Sequence, residues 1–478
     1  MDFQNKKITI MGLGLLGRGI GVVKYLVGKG AKVTVTDLKS AKELKSSVDE
    51  LKKFLVKAKR QNLPALPTGQ AGGEAGIKNK RIKIYPVRFI LDRHRLEDFV
   101  NADMVFKAAG VPLDSIYIRE AKCHDVPVVM DDALFGRETA CKIIGITGTR
   151  GKTTTSTLIY ELAKATGRAV HLAGNIKGTA TLPLLDKVKK NDLAILELSS
   201  WQLQGWRDLK ISPHIAVVTN IYRDHMNYYK NDIKKYIRDK AAIFENQTEN
   251  DYLVLNKNCP YCREFAKKSR AKVIWFSADN VPKSWGVKIL GKHNLENIAA
   301  AMAVGKLLGL DIAKIKGVVE DFHGIDGRLQ FVKEVGGVKY YNDTTATMPE
   351  ATIAALEALA GKRQNIKNKR IILIVGGADK NLDFKDLAPV IKKYAKAVVL
   401  LTGTATPKLQ KQLLVTRYSL PVTLADNMPE AVKSASKLAT RGDIVLLSPA
   451  AASFGMFKNE FDRGEQFLKE VKKLNYTV

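Results

Sequence analysis

Acidic residues, cysteine and long apolar runs are what this chain has least of. Against 78 Lys and Arg stand only 48 Asp and Glu, a formal net charge of +30 over 478 residues. Gathered in one patch, that excess would suit a nucleic-acid or membrane-surface partner. It is instead spread along the whole chain, densest between Lys39 and Arg95, and no RNA- or DNA-binding motif accompanies it. Nucleic acid is therefore not expected as the main partner, and a preference for anionic small molecules is. Four cysteines cannot build a disulfide framework. Two of them, Cys259 and Cys262 in "NCPYC", lie between a strand pattern and a helix pattern, where a helix N-terminus lowers a thiol pKa. The other elements of a thiol-redox fold are missing, so an ordinary strand-to-helix turn is expected, and zinc lacks further ligands nearby. No apolar run approaches the ~20 residues that span a bilayer. The start, "MDFQNKKITIMGLGLLG", reads as a strand where a secretion signal would need a plain apolar segment. A cytoplasmic protein of two or three domains is expected, because this length exceeds what one core supports. No coiled coil or long exposed apolar helix asks for a second copy, and a monomer is expected.

What the chain does have is α/β alternation in three segments. In the first, "KKITIMGLGLLGRGIGVVKYLVGKGAKVTVTDLKS", a strand from Ile8 to Met11 runs into Gly12, Gly14 and Gly17. A helix follows, then a second strand ending at Asp37. This is G-x-G-x-x-G between strand and helix with an acid about 20 residues on, a phosphate-approaching turn that permits NAD, FAD or a UDP-sugar. From Lys57 to Arg81 Gly, Pro, Ala and Lys dominate without periodicity, which predicts a flexible surface insertion over about 57–81. The segment closes near Met130.

The second segment opens with the strand "CKIIGIT" and then "GTRGKTTT". Gly145 lies one residue too far from Gly151 for the strict Walker form, yet the physics survives. Gly148 and Gly151 leave room for backbone N–H groups to face phosphates, Lys152 would neutralise β/γ oxygens, and the Thr153 hydroxyl would hold Mg²⁺. Later strand ends deliver Glu197, Asp224 and His225 to the same carboxyl edge, where open parallel sheets bind ligands. In the third segment "VKYYNDTTATMPE", "RIILIVGGADKN", "KAVVLLTGTA" and "DIVLLSPAAASFG" are strands whose loops place Asp343, Thr347, Lys380 and Ser453 at one sheet edge. The boundaries read as 1–130, 131–324 and 325–478, with "HGIDGRL" as the hinge.

A motor or switch needs the cradle but not a nucleotide-fold domain before it and a third α/β domain after it. An NAD-dependent oxidoreductase would explain the first segment and leave the second without use. One module per substrate suits a ligase, and the order of motifs resembles the Mur ligase family, in its glutamate-adding branch, nearly end to end apart from the insertion. "GLGLLG" with "TDLKS" is similar to the family's uridine-binding turn, implying Leu15, Leu16, Asp37 and Lys39 around a UDP-linked substrate. "GTRGKTTT" implies Gly148, Thr149, Arg150, Gly151, Lys152, Thr153 and Thr154 on ATP, with Arg150 where an Asn is usual. "GNIKG" implies Asn175 on the muramoyl substrate; "ELSSWQL" implies Ser199 near it and Glu197 on metal. "DHMNYY" implies His225 on a second Mg²⁺, and "YIRDKAAIFEN" puts Lys240 at the family's carbamylated, metal-binding lysine. Without the resemblance Lys240 reads as a solvated helix charge.

The same resemblance implies Asn294 and Asn297 at adenine, Arg328 and Asp343 at phosphate and ribose, and Thr347, Lys380 and Ser453 at the incoming glutamate. Thr345 stands where many of these ligases carry Lys. The implied fold is α/β in three domains: Rossmann-like, P-loop ATPase-like with a parallel sheet, and Rossmann-like again. The implied chemistry couples ATP and two Mg²⁺ to an acyl phosphate of UDP-N-acetylmuramoyl-L-alanine, attacked by D-glutamate. Catalytic roles fall to Lys152, Glu197, His225 and Lys240, and a closing third domain would exclude water. L-glutamate or another amino acid stands as the alternative to D-glutamate; the alanine-adding and diaminopimelate-adding ligases and folylpolyglutamate synthase share the cradle. "SSWQL", "GLGLLG" and the lack of a "DNPR"-type sequence favour the glutamate branch.

Overall fold

The computed structural model describes residues 1–14, 17–61, 84–176, 180–226, 228–360, 369–380, 382–414 and 420–474. They gather into two compact units, Met1–Asn280 with Glu296–Ile315, and Val281–Leu295 with Lys316–Val478.

The first unit holds two parallel sheets. One consists of β1 (Lys7–Met11), β2 (Lys32–Asp37), β3 (Arg88–Leu91), β4 (Met104–Lys107) and β5 (Val128–Val129). Its order is β3-β2-β1-β4-β5, and every pair is parallel. The strand order reverses at β1 and β4, so the loops leaving these two strands open the crevice. Gly12 makes that opening possible: its φ is 92°, and a Cβ there would meet the Ala108 Cβ at 2.9 Å. The helix Arg18–Gly28 starts immediately after the glycine turn, with Gly17 as its left-handed cap. The helix Lys45–Gln61 runs through the first five residues assigned above to the insertion. Lys57, Ala58, Lys59, Arg60 and Gln61 are all strong helix formers and sustain the turns past the loss of apolar periodicity; residues 62–83 lie outside the described ones.

The second sheet is built from β6 (Lys142–Thr147), β7 (Val170–Gly174), β8 (Leu193–Glu197), β9 (Ile215–Val218), β10 (Tyr252–Asn256) and β11 (Lys272–Phe276). The order is β11-β10-β9-β6-β8-β7, again all parallel. Helices cover both faces of such a sheet, so its strands read as unbroken apolar runs, and β8 is buried at every position. The helix Lys152–Lys164 leaves β6 through the cradle. After β10, Cys259 caps the helix Pro260–Lys268, and Cys259 and Cys262 are both buried free thiols in a strand-to-helix turn.

The second unit carries one mixed sheet. Its strands are β12 (Gln330–Val335), β13 (Val338–Asn342), β14 (Ile371–Gly376), β15 (Ala395–Leu401), β16 (Val422–Ala425) and β17 (Ile444–Leu447), in the order β12-β13-β17-β14-β15-β16. β12 and β13 form the only antiparallel pair among the described strands of this sheet. Gly336 and Gly337, with φ of 59° and 76°, close that hairpin. β13, β17 and β14 are neighbours, so Asp343, Ser453 and Lys380 leave the same sheet edge.

Candidate active site

The cradle is shaped from its own ends and from the strand beside it. Gly151 caps the helix Lys152–Lys164 with φ 81° and no side-chain cap, so the loop lies at the positive end of the helix dipole. Across the loop, the Thr149 N–H donates to Asn220 O at 2.9 Å and the Arg150 N–H to Asn220 Oδ1 at 2.8 Å. The Thr219 hydroxyl donates to Arg150 O at 2.6 Å. Thr149 is buried, its hydroxyl bonded to Tyr222 N–H and 2.9 Å from the Tyr236 hydroxyl. Lys152 Nζ donates to Gly148 O at 3.0 Å and Thr149 O at 3.1 Å, holding the amine over the loop. Thr153 is half-buried on the first turn, and Thr154 is buried beside it.

Lys240 is not a solvated helix charge. Its side chain is 1% exposed, and Nζ donates to Gly148 O at 2.9 Å, the same carbonyl that Lys152 uses. Burial drives its pKa well below the usual ammonium value, and the Lys152 charge adds to that. Sequence reasoning from the residues alone missed this burial. The signal was available: the Ile233, Tyr236, Ile237 and Lys240 spacing places the lysine on the apolar face of its helix.

Glu197 ends β8 and is 3% exposed. Its Oε1 accepts from Asn175 Nδ2 at 3.1 Å, its backbone carbonyl accepts from the Asn175 N–H at 2.7 Å, and its Oε2 is buried with no hydrogen-bond partner. An orphaned carboxylate oxygen suits a cation. Among the described residues no three His, Cys, Asp or Glu side chains form a ready cage. Mg²⁺ needs only one or two protein oxygens when phosphates supply the rest, and the unpartnered Oε2 of Glu197 has the chemistry of one of them. His225, with φ 55° and a ring 4.6 Å from that of Trp201, is half-exposed, and burial lowers its pKa against the pull of Asp224. That shift favours the neutral imidazole, the form a metal ligand takes.

Asp37 is buried, with Oδ2 accepting from Leu13 N–H at 2.9 Å and Oδ1 from Lys39 N–H at 2.9 Å. The acid thus braces the glycine turn, while the Lys39 side chain is exposed. Leu15 and Leu16 lie outside the described residues. Ser199 closes a capping box with Gln202 at the start of the helix Ser200–Asp208, a local duty that its motif position did not reveal. Asn297 is 4% exposed and accepts from the Thr155 hydroxyl at 3.3 Å, whereas Asn294 falls in the second unit with Nδ2 on Leu290 O at 2.7 Å.

In the second unit Asp343 is buried after β13, accepting from Leu329 N–H at 3.0 Å and from Ser448 Oγ at 2.8 Å. Burial pushes its carboxyl up to about 7, against both hydrogen bonds and the charge of Arg328. The folded chain therefore binds a proton here that the unfolded chain releases near pH 4. Its contribution to stability is full below about pH 4 and is lost as pH rises to about 7. Asp343→Asn is expected to raise the unfolding temperature at pH 8 and leave it little changed at pH 4; a pH series of thermal melts checks this, and equal shifts at both pH values would refute it. Thr347 follows the turn in which Thr345 donates to Gly327 O, Lys380 is exposed, and Ser453 is 3% exposed beside Phe454.

Residues 146–288 match the Mur ligase middle domain, and residues 327–451 the Mur ligase glutamate ligase domain. The chain is 36% identical over 504 residues to the UDP-N-acetylmuramoylalanine–D-glutamate ligase of Roseiflexus sp. (strain RS-1), covering 99% of each. The chain belongs to the Mur ligase family. The protein of the same name from Borreliella burgdorferi (strain ZS7) is 36% identical over 494 residues, 99% of each chain. Among solved structures this Mur ligase shares its α/β fold with the UDP-N-acetylmuramate-alanine ligase MurC of Thermotoga maritima, at 16% identity and a TM-score of 0.58 over 98% of this chain and 99% of that one. The MurF ligase of Thermotoga maritima, solved with ADP, gives 17% identity and a TM-score of 0.56 over 98% and 96%. The oxidoreductase alternative falls with this membership. No described helix of this Mur ligase is long and apolar enough to cross a membrane.

Proposed function

We propose that the chain joins D-glutamate to UDP-N-acetylmuramoyl-L-alanine through an amide bond, converting ATP to ADP and phosphate, in peptidoglycan precursor synthesis. One observation supports this above the others: end-to-end likeness to relatives named for that reaction, with a complete phosphate cradle beside a buried amine and a buried carboxylate.

In this reading the glycine loop of residues 148–153, the positive end of the helix Lys152–Lys164 and the Lys152 ammonium hold the β- and γ-phosphates in line with the substrate carboxylate. That carboxylate attacks the γ-phosphorus, ADP leaves, and an acyl phosphate forms. The glutamate amine then attacks the acyl carbon, giving up a proton as phosphate departs with the electron pair of the broken bond. Mg²⁺ held at two sites by Thr153, Glu197, His225 and a carbamylated Lys240 would neutralise crowded phosphate oxygens. The depressed pKa of Lys240 supplies the neutral amine that carbamylation by CO₂ requires. Asp37, Lys39, Asn175 and Ser199 serve the UDP-linked substrate, Arg150, Thr154, Asn294, Asn297, Arg328 and Asp343 the nucleotide, and Thr347, Lys380 and Ser453 the glutamate. We assign these duties to three functional modules, 1–130, 131–324 and 325–478, acting as a monomer in the cytoplasm.

The test is phosphate release from Mg-ATP and UDP-N-acetylmuramoyl-L-alanine with D-glutamate, with L-glutamate and with neither. Release with D-glutamate alone, matched by a new amide product, is expected. Turnover with L-glutamate instead would reassign the amino acid, and turnover with neither would place the specificity at Thr345 in question.

A further inference from the structure

One cation joins the two sheets of the first unit beside the Glu197 carboxylate, and neither the motifs nor the mechanism above uses it. Arg18 is the first residue of the helix that leaves the glycine turn. Its Nη2 donates to Gly174 O at 2.9 Å, at the end of β7, and to Asn175 Oδ1 at 3.3 Å. Its Nε is buried with no hydrogen-bond partner. Two buried carboxyls, Asp131 and Asp132, lie within reach of its field: burial raises both, and the Arg18 charge opposes the rise.

We infer that Arg18 is a positioning residue for the ligase reaction, acting through Asn175 on Glu197. This role rests on the proposed activity and on the two faces of a carboxamide. With the Arg18 guanidinium on Oδ1, the Asn175 Nδ2 is turned toward Glu197 Oε1, where it donates at 3.1 Å. That bond commits one carboxylate oxygen of Glu197 and leaves Oε2, the orphan, for a cation. The remaining N–H of Asn175 and the second lone pair of its Oδ1 are then aimed in fixed directions for a substrate. Because Arg18 begins the helix of the glycine turn, the turn that takes the UDP-linked substrate and the carboxylate that serves the phosphate transfer share one rigid link. Both bonds leave one nitrogen of a planar, permanently charged guanidinium, and Lys would reproduce the charge but not the fixed plane that sets their directions.

A double-mutant cycle between Arg18→Gln and Asn175→Ala tests the link in the full chain. Arg18→Gln is expected to lower kcat roughly ten- to fifty-fold and to raise KM for the UDP-linked substrate, while KM for ATP stays within twofold. In the Asn175→Ala background the same change is expected to cost less than about threefold, because its target is gone. Arg18→Lys should restore part of kcat. Calorimetric binding of the UDP-linked substrate without ATP or metal gives a readout apart from turnover, and Arg18→Gln should weaken it. Wild-type parameters in Arg18→Gln, or losses that simply multiply in the double mutant, would overturn the inference. If the wild-type chain itself fails to turn over, the proposed activity fails instead, while the binding cycle still tests the Arg18–Asn175 coupling. Should Arg18→Gln not fold, the Arg18→Lys cycle carries the same comparison.

Discussion

Lys240→Ala is expected to reduce kcat by about 10²–10³, the scale at which a lost preorganised charge group shows, and to recover part of it in formate or acetate. An ammonium at 1% exposure, donating to Gly148 O and 3.4 Å from the Thr147 hydroxyl, is costly to keep charged, and its depressed pKa follows. Truncation leaves a polar void at the back of the cradle that a small carboxylate can enter. Added carboxylate then stands in for the carboxylate-like head that a carbamylated lysine would carry. The assay is phosphate release against carboxylate concentration at fixed ionic strength, with a melt to show that the variant folds. Full activity without rescue reagent would remove Lys240 from the mechanism. A folded, inactive variant that no carboxylate restores would leave it as an amine that shapes the Gly148 carbonyl.

Gly148→Ala is expected to cost at least about 10² in kcat/KM for ATP, because misplacing reactive phosphates by an ångström is worth that much. At Gly148 φ is 149°, a region that L side chains rarely adopt, and a Cβ would lie 1.9 Å from Thr219 Oγ1 and 3.1 Å from Asn220 N. The Thr219 hydroxyl cannot retreat without releasing Arg150 O. Strain of this kind costs ~1–3 kcal/mol, so the unfolding temperature should fall as well. Titration calorimetry with Mg-ADP separates the two effects, and wild-type affinity in the variant would contradict this account of the cradle.

The parallel strands were legible because burial on both faces writes them as apolar runs, and the glycine turn and cradle because only glycine tolerates those backbones. The hairpin of β12 and β13 was equally written, in "EVGGVK", yet β12 alternates weakly and is half-exposed, so periodicity passed over it. β16, four residues with two exposed, left still less trace. Side-chain duties were harder to read. Nothing local distinguishes Arg18 from any helix-starting arginine, since its partners stand more than 150 positions away. The capping role of Ser199 was present in its Ser-x-x-Gln spacing, but the motif drew attention to ligands instead.

The cradle's letters are contiguous, but its shape is not stored in them. Thr149 and Arg150 take their geometry from Thr219, Asn220, Tyr222 and Tyr236, residues some 70 to 87 positions downstream. A segment copied from 145–159 into another sheet would arrive as text without its mould. The portable unit is the pair of neighbouring strands β6 and β9 with both their trailing loops and the helix Ile233–Ala241 that carries Tyr236, and shuffling of this module by recombination must carry all of it or lose the mould.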